Sequence, residues 1–205
     1  MREIAATVKS AFLDLLDPTR TYPITDRRLS GLSHAQQVAE FAKRGMTLVQ
    51  LREKHLSPNE FYDEARQALS VARYHGLKII INDRVDIALA LNADGVHLGQ
   101  DDLPVEAARK LLGNDVIIGF STHNLSQAKQ ALQLPIDYLA VGPVFSTNTQ
   151  ESADPTVGLG GVSEIRQALP EIPLVAIGGI NAANRDAVRG AGADSVSLVS
   201  DFWKA

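Results

Sequence analysis

Seven short polar motifs punctuate this chain, each just after a short apolar run rich in Val, Ile and Leu. They are Arg52-Glu53-Lys54, Asn82-Asp83, Gln100-Asp101-Asp102, Ser121-Thr122-His123, Thr147-Asn148-Thr149, Gly178-Gly179 and Val199-Ser200. The runs have strand length, and amphipathic stretches of helical spacing separate them. Continuous apolar strands alternating with such helices indicate a parallel sheet covered on its faces. Strands are predicted over 22–25, 47–51, 78–81, 95–98, 116–119, 138–141, 174–177 and 195–198. Helices are predicted over 33–44, 58–74, 85–91, 104–112, 125–132, 162–168 and 182–191, with a leading helix over 3–16. Eight strands favour closure into a (β/α)₈ TIM barrel over an open sheet, and no G-x-G-x-x-G follows an early strand. The expectation is one TIM-barrel domain over 1–205, with an extra N-terminal helix and a shortened or missing eighth helix. A barrel gathers the loops after its strands on one face, which brings the seven motifs into one site.

Composition narrows the functional classes. The net charge is −4, which disfavours a nucleic-acid binder, and the apolar runs are too short to span a membrane. The chain has no cysteine, so disulfides and thiolate sites are excluded. No signal-peptide pattern opens it, and a cytoplasmic, soluble protein is expected. The sequence leaves a homo-oligomer open.

Each motif has a bland reading beside the functional one. Asp83 and Asp102 stand at neighbouring strand ends, where two carboxylates suit Mg²⁺ bridging to substrate phosphates. Either could instead cap the helix that follows. Gly178-Gly179 and Val199-Ser200, after the last two strands, fit a phosphate cradle or simply a tight turn. Arg52 and Lys54, two apart on an extended segment, could act together on an anion or form a solvated charge cluster. Thr147 and Thr149 repeat that spacing with hydroxyls, inside an aperiodic loop over 146–160. His123 could serve as an acid or base. His97, within a strand, reads as a packed, hydrogen-bonded core group.

Five strings in register with the strands resemble the thiamin-phosphate synthase family: Gln50-Leu51-Arg52-Glu53-Lys54, Ile81-Asn82-Asp83, Val96 to Asp102, Gly142 to Phe145 with Thr147-x-Thr149, and Ala176 to Ile180. The resemblance covers roughly residues 21–200. It implies a transferase that joins hydroxymethylpyrimidine diphosphate to thiazole phosphate, with pyrophosphate departing before the thiazole nitrogen attacks. It implies Mg²⁺ held by Asp83 and Asp102, and small phosphorylated molecules as partners. Gln50, Leu51, Arg52, Glu53 and Lys54 would line the pyrimidine-diphosphate site, with Asn82. Arg52, Lys54, Ser121 and the residue at 150 would meet pyrophosphate. Thr147, Asn148, Thr149, Gly179, Val199 and Ser200 would bind the thiazole phosphate. The family continues Thr-x-Thr with lysine, whereas this chain has Gln150, so one cation is missing unless Arg27 or Arg84 replaces it. Two other readings stay open. One is a thiazole tautomerase-type isomerase using His123; the other is a barrel that binds phosphorylated ligands without turnover.

Overall fold

The computed structural model describes residues 12–147 and 155–203. Eight parallel strands run β1 (Thr21–Pro23), β2 (Leu48–Leu51), β3 (Lys78–Asn82), β4 (Gly95–Leu98), β5 (Ile117–Thr122), β6 (Tyr138–Val141), β7 (Leu174–Ala176) and β8 (Ser195–Leu198). They pair in the order β1-β8-β7-β6-β5-β4-β3-β2. The circle closes where Ile24 bridges Gln50 and the Thr25 N–H donates to the Gln50 carbonyl at 2.9 Å. The fold is the expected TIM barrel.

The described helices are α1 (Arg27–Ser30), α2 (His34–Lys43), α3 (Pro58–His75), α4 (Val85–Leu91), α5 (Val105–Leu112), α6 (Leu125–Ala131), α7 (Gly158–Ala168) and α8 (Arg185–Gly190). Ser33 and Ser57 open α2 and α3 with reciprocal capping boxes to Gln36 and Glu60, which fixes both starts. The short α1 escapes any periodicity argument. Asp26 caps it and the left-handed Gly31 ends it after one turn. Helix α8 begins later than predicted because Asn181 and Asn184 take the local backbone donors: Asn181 accepts from the Ala183 N–H, and Asn184 from the Asn181 N–H. Most of the expected leading helix lies outside the described residues. Towards the other end, Ser200–Trp203 forms one 3₁₀ turn. Its Phe202 and Trp203 rings lie 4.9 and 5.4 Å from Phe41 on α2.

The pleat sorts the core into two layers. Ile80 joins Tyr22, Leu48, Tyr138, Val175 and the buried Phe12 inside the barrel. Ile79 and Ile81, its neighbours, join Val38, Phe41, Phe61 and Leu69 between strands and helices. Each fully buried side chain of this size contributes about 1.5–3 kcal/mol, so the sandwich of layers carries the stability.

The strand starts share one device. Asp94, Asp137 and Asp194 each precede an even-numbered strand. Each carboxylate accepts the backbone N–H of the preceding odd strand, from Ile79, Ile118 and Leu174 at 2.9, 2.7 and 2.9 Å. Each also pairs with a cation: Lys78, Arg109 and Arg166 respectively. The guanidinium of Arg109 further donates to the Pro135 and Val116 carbonyls, so one side chain ties α5 to two strand starts. These clamps occupy the face opposite the polar motifs and leave the other face for chemistry.

Candidate active site

Strand parity decides which motif residues enter the mouth. Gln50, Asn82, His97, Ser121, Tyr138 and Ser197 point inward and line one cavity, with Arg52 and His123 at its rim. Leu51, one residue from Gln50, packs into the outer core and presents no side chain to this cavity. Glu53 also turns away from it. Its carboxylate accepts the Lys54, His55 and Leu56 N–H groups, faces His34 Nε2 at 3.5 Å and Arg27 at 3.6 Å. His34, first among these partners, with the backbone donors, holds Glu53 down at about 2. Glu53 therefore shapes the loop that carries Arg52 and Lys54. The partners of His34, Thr25 and Glu53, come from other loops.

The two acids at the ends of β3 and β4 do not cap helices. Helix α4 has Arg84 at its N-cap and α5 has Pro104, and neither end shows a side-chain cap. Asp83 instead takes a left-handed backbone, φ 61°, and pairs with Lys54 Nζ. Asp102 accepts the Gly99 N–H at 2.7 Å and lies against Asp83. Burial, then the neighbouring Asp83 charge, pushes the Asp102 carboxyl above its ordinary range, against the Gly99 hydrogen bond. Sparsely populated backbone and crowded like charge are costs that persist where a site requires them.

Donors surround this pair. Asn82 Nδ2 is buried and has no partner among the described residues. Ser121 Oγ lies 2.8 Å from His97 Nε2, and Gln100 Nε2 donates to the Ser121 carbonyl at 2.5 Å. His97 is buried and bonded, as its place in a strand suggested, but it also lines the cavity. His123 Nδ1 donates to the Gly142 carbonyl at 2.7 Å. Both candidate replacement cations have carboxylate neighbours. Arg84 is paired with Asp86, and Arg27 with Glu53 and Glu64.

Gly179 sits at φ 64°, and a Cβ there would lie 2.7 Å from Phe145 Cβ and 2.8 Å from the Ser146 carbonyl. Glycine is required by this close approach, whatever binds beside it. The loop after β7 meets the loop after β8 where the Ala182 N–H donates to Asp201 at 3.1 Å. Thr147 is described and half-buried, while Asn148, Thr149 and Gln150 lie outside the described residues. A larger cavity of about 490 Å³ opens among the clamps, lined by Phe12, Lys78, Asp94 and Asp137, and none of the motif residues reaches it. Among the described residues no helix is long and apolar enough to cross a membrane.

A closed parallel barrel with cations, a carboxylate pair and a glycine turn at its mouth is a TIM-barrel protein equipped for an anionic small molecule. A family model described as thiamine monophosphate synthase matches residues 21–202. The thiamine-phosphate synthase of Clostridium novyi is 47% identical over 90% of this chain and 91% of its own length. That of Chloroflexus aurantiacus is 50% identical over 88% of this chain and 83% of its own. The solved thiamine phosphate pyrophosphorylase from Pyrococcus furiosus superposes with a TM-score of 0.81 at 36% identity, covering 91% of this chain and 88% of that one. The chain belongs to the thiamine monophosphate synthase family.

Proposed function

We propose that this chain is a Mg²⁺-assisted transferase that makes thiamin phosphate and pyrophosphate from hydroxymethylpyrimidine diphosphate and thiazole phosphate, and that it works in the cytoplasm. The observation that carries the reading is the convergence of Arg52, Asn82 and Ser121 on one cavity beside Lys54, Asp83 and Asp102. In the reaction the bond from the pyrimidine methylene to the diphosphate oxygen breaks, and the oxygen keeps the electron pair. The thiazole nitrogen lone pair then forms the new C–N bond. No protein nucleophile is needed, so catalysis is positioning and charge stabilisation.

Arg52 and Lys54 place two cations where the departing oxygens gain charge. Asn82 Nδ2 and the Ser121 hydroxyl add neutral donors. Asp83 and Asp102 fit a hard divalent cation, being oxygen donors that share a mouth and cap nothing. Mg²⁺ held there would supply charge neutralisation to the leaving diphosphate. Gln50, at the cavity floor, suits the pyrimidine edge. Thr147, Asn148, Thr149, Gly179, Val199 and Ser200 form the thiazole-phosphate end of this reading.

An end-point assay for thiamin phosphate, with both substrates and with or without Mg²⁺, tests it. Product only with metal is expected; no product under either condition overturns the transferase. One observation keeps the isomerase reading in play. Because His123 Nδ1 donates to Gly142, a neutral ring carries its lone pair on Nε2, as a base would need. Isomerisation of a thiazole carboxylate phosphate without transfer would select that reading, and binding without either reaction would select the non-catalytic barrel.

A further inference from the structure

The Ser121 hydroxyl is reached from inside the barrel by an unbroken line of polar side chains. Gln50 Nε2 donates to the Tyr22 hydroxyl at 3.3 Å. The Tyr22 and Tyr138 hydroxyls lie 3.1 Å apart. The Tyr138 hydroxyl lies 2.8 Å from His97 Nδ1, and His97 Nε2 lies 2.8 Å from Ser121 Oγ. These groups come from five strands and only the barrel joins them.

The direction of the line follows from counting hydrogens. A tyrosine hydroxyl has one hydrogen to give. Tyr22 receives from Gln50, and the acceptor within reach of its own hydrogen is the Tyr138 hydroxyl; Tyr138, receiving there, has His97 Nδ1 within reach of its own. A neutral imidazole that accepts at one nitrogen carries its hydrogen on the other. A ring nitrogen that accepts is unprotonated, so the His97 imidazole in this line is neutral. Nε2–H then donates to Ser121 Oγ. The serine oxygen is held from behind, and its own hydrogen is left for an acceptor in the cavity.

We infer that His97 is a positioning residue, which the Tyr22–Tyr138 pair sets in the Nε2–H tautomer so that Ser121 acts as a one-way donor to the leaving diphosphate. The inference rests on the transferase reading for the identity of the acceptor, while the tautomer stands on the hydrogen-bond line alone. The opposite tautomer would make His97 accept from Ser121. The serine would then turn its hydrogen inward and offer a lone pair to an anion, which repels it. The preset direction spares reorganisation when charge develops on the leaving group.

Nitrogen-15 NMR of the unaltered chain reads the tautomer directly, with the His97 signals identified by their loss in His97→Asn. Hydrogen on Nε2 and a lone pair on Nδ1 are expected; hydrogen on Nδ1 overturns the inference. In Tyr138→Phe the ring stays stacked on Phe12, 4.3 Å between centroids, so the aromatic packing is kept. Losing the tyrosine hydroxyl should release the tautomer to a mixture and lower kcat by about tenfold or more, with the KM for thiazole phosphate changed less than about twofold. Ser121→Ala should cost a similar factor, and the double variant no more than Ser121→Ala alone. Independent, multiplying losses would show that Tyr138 does not act through Ser121. His97→Gln, which places an amide donor near the Nε2 position, should recover part of the activity lost in His97→Ala. If the unaltered chain shows no transfer, the functional reading fails, and the NMR result still decides the tautomer.

Discussion

Gly119 on β5 lies directly against the ring of Tyr138 on β6: a Cβ on Gly119 would stand 2.0 Å from Tyr138 Cζ. The missing side chain is the space that the tyrosine fills. Gly119→Ala is expected to destabilise the protein by about 1–3 kcal/mol through overpacking. It should also displace the Tyr138 hydroxyl from His97, so kcat should fall along with the urea midpoint. A stable alanine variant with unchanged kcat would show that the ring has room to move.

The carboxylate pair gives a prediction about metal. Asp83→Asn and Asp102→Asn should each lower Mg²⁺-supported turnover at least about tenfold, as for a lost ligand or its close support. Global stability should change little, since both residues sit on the open mouth. Initial rates across a Mg²⁺ titration check this. Unchanged rates in either variant would remove that residue from the metal site.

By the family resemblance of the Thr-x-Thr string, Gln150 takes a position expected to hold lysine. A cation there would favour the developing charge on pyrophosphate more than the bound substrate. Arg27 pairs with Glu53 and Glu64, and Arg84 with Asp86; the competing view is that one of these cations already fills the place. Gln150→Lys is expected to raise kcat, toward the about 2–4 kcal/mol that one such contact can supply, with little effect on thiazole-phosphate affinity. A kinetic comparison showing equal or lower kcat in the lysine variant would reject this.

Glu53 makes stability depend on acid. Its folded-state value, about 2, lies below the ordinary 4.5. For a depressed acid the contribution is complete above pH 4.5 and drains away as pH falls through about 2. Glu53→Gln should therefore lower the urea midpoint at pH 6 and narrow the gap to the parent protein as pH approaches 2.5. A gap that stays constant across that range would mean that Glu53 is not held in its charged form by folding.

The clamps on the far face offer a contrast. Asp137→Ala strands the Ile118 N–H and leaves Arg109 without its carboxylate. An expected loss of about 1–3 kcal/mol follows from the unsatisfied donor. Activity at saturating substrate should hold, because the clamp lies across the barrel from the mouth. Chemical denaturation beside a steady-state assay separates the two effects, and a loss of kcat without loss of stability would contradict the division of faces.

Sequence periodicity by itself was enough for the eight strands, most helices and the gathering of motifs on one face. Those features follow from local spacing: apolar runs of strand length between amphipathic stretches admit few closed arrangements. The strand parity of Gln50, Asn82 and Ser121 likewise follows from the two-residue repeat of an extended chain. Partners far apart in the chain were beyond local spacing. Glu53 looked like a ligand contact until His34 and Arg27 were folded against it. Asp83 looked equally like a helix cap until its left-handed backbone brought it to Lys54 and Asp102. His97 was legible as a buried histidine, but its direction as a donor depends on Tyr22, Tyr138 and Ser121 from three other strands. Hydrogen-bond direction, charge pairing and the space beside Gly119 are properties of atoms brought within a few ångströms by barrel closure, so only the tertiary structure decides them.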